Sequence, residues 1–184
     1  MPRLIHLNGP SLVGKSTLAR RYAAEHPGTL NLDVDLLVGL VGGWQHDFPS
    51  ALTVARGHGT AIAVRHLEGG HDVVLPQLIT SFDGHPWADD IAAQAHAEYV
   101  EIALLADSAE HERRLLAKRP GHAVEAYTQH ALSDPDSELL QKIRLDLESY
   151  LADRPDTICL DTTGLNADET YARLLAVLAG SGPD

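Results

Sequence analysis

Gly9-Pro10-Ser11-Leu12-Val13-Gly14-Lys15-Ser16 matches the spacing G-x-x-x-x-G-K-[ST]. Each fixed position has a chemical reason. Glycines at 9 and 14 permit backbone angles and a close approach that a side chain would block. Successive backbone N–H groups then face inward, and the positive end of a following helix adds to them, which suits a chain of phosphates. Lys15 is placed to reach β- and γ-phosphates, the Ser16 hydroxyl suits Mg²⁺, and Thr17 extends the lining. The motif implies a nucleoside triphosphate, with ATP the expected donor and Mg²⁺ its cation.

Asp33-Val34-Asp35 is the second constellation. A carboxylate opposite a γ-phosphate can orient an acceptor hydroxyl and take its proton. In an extended chain residues i and i+2 point the same way, so both carboxylates are expected in one cleft. Asp35 is read as the partner of the hydroxyl and Asp33 as the contact of Mg²⁺-bound water; helix capping is the competing role for either. A third group is cationic: Arg113, Arg114, Lys118 and Arg119 supply four of the 14 basic residues. Such a cluster suits a positive lid that neutralises a transferred phosphoryl group and excludes water. Arg119-Pro120 resembles the Arg-Pro of shikimate-kinase-like lids. That resemblance makes Arg119 the first choice for a phosphate contact, with Arg114 the second and Arg113 placed near the base. The alternative is a solvated helix face paired with Glu110 and Glu112.

The elements that must carry these residues alternate between strand and helix. Strands are expected at 3–8, 29–33, 72–75, 99–105 and 157–160. Helices are expected at 15–25, 35–41, 49–67, 87–97, 108–118, 121–131 and 135–151, with a last one capped by Asn166 and Glu169. Gly57 and Gly59 weaken the third of these helix expectations and mark either close packing or a break. Such alternation implies a parallel sheet covered on both faces, with ligands at the carboxyl ends of its strands. The third strand ends Leu75-Pro76-Gln77, without the acidic residue that motor-type ATPases use to prepare water. Gln77 is then a candidate for reading the acceptor. Trp44, His46, Asp47, Phe82, Asp83, His85 and Trp87 lie in the segments expected to wall that pocket, and Trp44 is taken as its aromatic contact.

Composition narrows the partners. The 184 residues carry 14 basic and 26 acidic side chains, a formal charge of -12, which disfavours an extended nucleic-acid surface and favours a small molecule. No run approaches the roughly 18 apolar residues of a membrane span, and the chain enters its first strand without room for a signal peptide. The lone Cys159 excludes an internal disulfide, points to the cytoplasm, and reads as a small buried hydrophobe. Eleven histidines form no zinc pattern, and His6 reads as a hydrogen-bonded core residue.

The motif with Asp33-Val34-Asp35 resembles the small-molecule kinases of the P-loop superfamily: shikimate and gluconate kinases, zeta-toxin-type kinases and chloramphenicol phosphotransferases. The resemblance covers nearly the whole chain in layout. It implies one α/β/α three-layer domain over 1–184, a five-stranded parallel sheet of order 2-3-1-4-5, and an arginine-rich helical lid at about 113–131. It implies that Asp35 contacts the acceptor hydroxyl, that Arg119-Pro120 is a lid element, and that Asp161-Thr162-Thr163-Gly164 lies beside adenine, with Thr162 a nucleotide contact. An Asx-type turn is the plain alternative there. The activity implied is ATP-dependent phosphorylation of a hydroxyl on an antibiotic, sugar nucleotide or metabolite. A kinase for nucleic-acid 5′ ends and a regulatory ATPase are the alternatives.

Overall fold

A computed structural model describes residues 1–81, 87–117, 119–133 and 138–180. In chain order these form β1 (Arg3–Asn8), α1 (Lys15–Glu25), β2 (Leu30–Asn31), α2 (Val34–Val38), α3 (Phe48–Glu68), β3 (Val73–Leu75) and α4 (Trp87–Gln94). There follow β4 (Glu98–Leu105), α5 (Ser108–Ala117), α6 (Ala123–Leu132), α7 (Leu139–Ala152), β5 (Ile158–Asp161) and α8 (Ala167–Leu178). The five strands make one sheet of order β2-β3-β1-β4-β5, and every neighbouring pair is parallel. The expected strand order and layering are therefore observed.

Alternation along β1 builds a core on each face. Ile5 and Leu7 join Val74, Ile102 and Leu104 against Leu18 and Tyr22 of α1 and Leu174 of α8. Leu4 joins Val73 and Leu75 against α3 and α4 on the other side. Burial of these aliphatic side chains contributes roughly 1.5–3 kcal/mol each, and most of the stability lies here. The second face is not wholly apolar, because His6 and Asn8 also point into it and are fully buried.

Caps fix the helix starts. Asn166 and Glu169 form a reciprocal capping box at α8, Asp47 accepts the Ser50 N–H at α3, and Asp107 accepts the Glu110 N–H of α5. Helix α3 runs unbroken through both glycines. A Cβ at Gly59 would lie 3.4 Å from Val34 Cγ2, so this glycine serves the α2–α3 contact, whereas Gly57 meets nothing within 4 Å.

Three expectations are revised. The strand expected at 29–33 is only Leu30–Asn31, because the chain turns at Asp33 and Val34 already opens α2. Cys159 is exposed rather than buried, since β5 is the edge strand and turns Leu160 inward instead. Asp47 is a helix cap and His46 is exposed. Phe82, Asp83, His85 and Lys118 lie outside the described residues. Among the described residues no helix is long and apolar enough to cross a membrane.

Candidate active site

The loop between β1 and α1 needs left-handed backbone at three positions: Gly9 (φ 131°), Leu12 (φ 69°) and Gly14 (φ 112°). At Gly9 a Cβ would stand 2.3 Å from the Leu104 carbonyl oxygen. Gly9→Ala is therefore expected to destabilise the chain by about 1–3 kcal/mol and to weaken nucleotide binding, read by thermal melting with and without ATP. Lys15 is 8% exposed and its Nζ donates to the Gly9 and Pro10 carbonyls at 2.8 Å each. The ammonium thus bridges the loop mouth.

The loop is anchored from below by a buried polar network. Asn8 Oδ1 accepts the N–H groups of Gly9 (2.7 Å) and Ile79 (3.0 Å). Its Nδ2 donates to Ile79 O (3.0 Å) and Glu101 Oε1 (2.8 Å), so all four hydrogen-bonding capacities of the amide are used. Glu101 also accepts from Thr157 and Arg154 at 2.8 Å each, and Arg154 reaches Asp89 at 2.7 Å. His6 lies 3.3 Å from Glu101, with Nδ1 at 2.8 Å from Tyr99 Oη and Nε2 at 2.8 Å from Gln77 O. Burial raises the Glu101 carboxyl, but hydrogen bonds from His6, Asn8 and Thr157 and the charge of His6 outweigh it and hold it at about 2. His6 is a hydrogen-bonded core residue, as expected.

Two hollows flank the loop crest. The smaller, about 250 Å³, is lined by Leu12, Gly14, Thr17, Arg113, Arg114 and Ala117. The larger, about 600 Å³, brings Lys15, Ser16, Asp35 and Gln77 together with α3, α6 and α7. Asp35 is pushed above the usual carboxylate range by burial and then by the charge of Asp33, against the opposing charges of Lys15 and His122.

Several residues predicted for the site sit elsewhere or act otherwise. Asp33 does not line the larger hollow. The turn at Asp33 ends the extended chain, so its carboxylate accepts the Asp35 N–H at 3.3 Å as the cap of α2, and the two carboxylates do not share one cleft. Trp44 is 6% exposed and packs edge-on against Tyr127 at 5.6 Å; Tyr127 and Phe48, stacked at 5.4 Å, form the aromatic wall instead.

Arg114 spends its five N–H groups on Glu110, Val13 O, Thr162 Oγ1, Thr162 O and Leu165 O. It braces the loop and lies at the smaller hollow. Thr162 is fully buried, with its hydroxyl donating to Leu105 O at 2.8 Å, so it offers nothing to a base. Arg119 is exposed on the connection from α5 to α6 and lines neither hollow. Arg113 pairs with Glu110 at 2.7 Å and lies at the smaller hollow.

Other lining residues were not singled out from sequence. Phe48, Leu52 and Arg56 share one face of α3, and Leu139, Lys142, Ile143 and Asp146 share one face of α7. Their spacing of three and four residues was the available signal, although it could not say which face meets the site.

The sequence profile of the AAA domain family matches residues 4–141. No curated protein sequence matches the chain significantly. Among solved structures, the tunicamycin resistance protein of Deinococcus radiodurans aligns over 100% of both chains with a TM-score of 0.60 and 17% identity. A thymidylate kinase from Candida albicans covers 97% of this chain and 92% of its own, with TM-score 0.59 and 13% identity. A gluconokinase from Sinorhizobium meliloti 1021 covers 99% and 98%, with TM-score 0.55 and 18% identity. At such identities the likeness is one of fold.

Proposed function

The chain belongs to the AAA domain family and has the P-loop kinase fold, and from that premise we propose that it transfers the γ-phosphate of ATP to a hydroxyl of a small molecule. One observation carries the reading: Asp35 lines the same hollow as Lys15 and Ser16 of the phosphate loop. The inward amides of the loop and the N-terminus of α1 hold the triphosphate. The base lies over the smaller hollow beside Arg113. Asp35 orients the acceptor hydroxyl and takes its proton, while Lys15 stabilises charge on the transferring group. Arg119 would join only if the connection between α5 and α6 closed over the site.

At the transfer position the Asp35 carboxylate repels a phosphate and favours a neutral hydroxyl. The apolar faces of Phe48, Leu52 and Tyr127 suit the body of the molecule and exclude water.

Mg²⁺ fits this donor set. It keeps several waters and takes one or two protein oxygens besides the phosphates, and the Ser16 hydroxyl at the hollow can supply one. Among the described residues no three His, Cys, Asp or Glu side chains gather to hold a metal by themselves, so the ion would arrive with the nucleotide. When bound it neutralises β- and γ-phosphate charge.

ADP release tests the proposal directly. With ATP and Mg²⁺, one class among hydroxylated antibiotics, sugar nucleotides, sugar acids and 5′-hydroxyl oligonucleotides is expected to raise turnover well above acceptor-independent hydrolysis. Lys15→Met is expected to lower it by roughly 10²–10³. Slow hydrolysis that no acceptor changes would indicate a regulatory ATPase and remove the proposal.

A further inference from the structure

We infer that His111 is a positioning residue for the phosphate loop, acting through the peptide plane between Ser11 and Leu12. The inference rests on the reading of that loop as the nucleotide site. His111 belongs to α5, outside the motif, and is 1% exposed. Its Nε2 lies 2.6 Å from the Ser11 carbonyl oxygen and its Nδ1 lies 3.2 Å from Nη2 of Arg144 on α7. A guanidinium has donors only, so Nδ1 must accept. The proton therefore sits on Nε2 and is donated to Ser11 O. The neighbours fix one neutral tautomer.

What that bond does follows from peptide geometry. The described peptide bonds include no cis form, and in a trans peptide the C=O and the next N–H point in opposite directions. Holding Ser11 O toward α5 turns the Leu12 N–H away from α5, to the side on which a phosphate can be received. Leu12 needs this help, because its φ of 69° is a left-handed conformation that a leucine rarely adopts. Arg114, one turn along the same face of α5, repeats the device by donating to Val13 O at 3.2 Å, which aims the Gly14 N–H. Helix α5 thus grips two loop carbonyls and sets two loop amides.

The proton state matters to this arrangement. A proton on Nδ1 would break the bond from Arg144 and face its guanidinium. Burial lowers the titration of His111 below the ordinary histidine value, the Ser11 carbonyl opposes that, and the charges of Arg144 on α7, Lys15 on α1 and Arg114 on α5 add to the lowering. The neutral ring is therefore fully present above about pH 6.5 and is lost as pH falls through the depressed value.

Equilibrium binding of Mg²⁺-ATP to the full chain between pH 5.5 and 8 is the test, with wild type, His111→Gln, His111→Leu and Arg144→Met. His111→Leu is expected to weaken binding about tenfold at pH 7.5, the equivalent of one hydrogen bond of about 1.4 kcal/mol. His111→Gln keeps a donor for Ser11 O and cannot titrate, so it should bind within about threefold of wild type at pH 7.5. ATP titrates in the same range for every variant, so the result lies in a difference: wild type should lose more affinity toward acid pH than His111→Gln. Should His111→Leu fail to fold, Arg144→Met is expected to move the acid limb to higher pH, because the opposing guanidinium is gone. Equal binding by wild type and His111→Leu, or an acid limb that His111→Gln retains and Arg144→Met does not move, overturns the inference alone. Wild-type chain that binds no Mg²⁺-ATP at any pH overturns the loop reading as well.

Discussion

Asp35→Asn is expected to lower acceptor-dependent phosphoryl transfer by roughly 10²–10⁴ while the fold survives or gains stability. The carboxylate stands in the larger hollow with Lys15 and Ser16, and it is raised by burial and by the charge of Asp33. A raised value makes it a better base than a solvated aspartate, provided it is ionised at working pH. The rate should therefore rise with pH through a value above the usual carboxylate range. The stability effect has the opposite sign. The folded chain holds this proton more readily than the unfolded chain does, so the ionised group opposes folding at neutral pH, and stability recovers as pH falls through the raised value. Asparagine removes that opposing charge, so its melting temperature at pH 7 should equal or exceed wild type. Transfer rates and melting curves on one preparation check both halves. Near-normal transfer by the asparagine variant would take Asp35 out of its role.

Glu101→Ala should cost about 3–5 kcal/mol, because it leaves a buried charge network without its centre. Asn8, Arg154, Thr157 and His6 all converge on this carboxylate. For a chain of this length the change corresponds to a fall of roughly 6–20 °C in melting temperature. The carboxylate is held at about 2, well below the ordinary glutamate value. Its stabilisation is accordingly complete above that ordinary value and is lost as pH falls toward 2. Wild type should weaken over this acid window more steeply than Glu101→Gln, which keeps the shape and cannot ionise. Because Asn8 binds both Glu101 and the Gly9 N–H, the variant should also bind ATP less tightly at temperatures where it remains folded. A Glu101→Ala chain as stable as wild type would show that the network contributes nothing.

The phosphate loop and the order of the sheet were legible because local signals carry them: a fixed motif, and strands and helices in strict alternation. Asp35 lies beside Lys15 and Ser16 as expected, although it stands in α2 rather than at a strand end. Its neighbour Asp33 was misread because the extended rule stops where the chain turns, and only the backbone angles at Asp33 show that Val34 is already helical. Arg114 and Thr162 looked like nucleotide contacts, yet they bind each other across 48 positions of chain. Glu101 in β4 reads in sequence like an ordinary polar residue of a strand. Its partners Asn8 and Arg154 lie 93 and 53 positions away, and no local pattern announces them. The indole of Trp44 gave a correct neighbourhood and the wrong layer, since Tyr127 comes between it and the hollow.

The grip of α5 on the Ser11 and Val13 carbonyls divides the wall around the reactants into parts that can and cannot swing. Helix α5 travels with the nucleotide half, and the Arg144 bonds to Ser108 and His111 couple α7 to it. Helix α6 is held to α5 through Gln129, which donates to the Leu115 carbonyl at 2.8 Å. Its Tyr127 faces Phe48 across the entrance. Helices α5, α6 and α7 are thus joined on the nucleotide side, and admission of the second reactant falls to the α3 edge of the entrance.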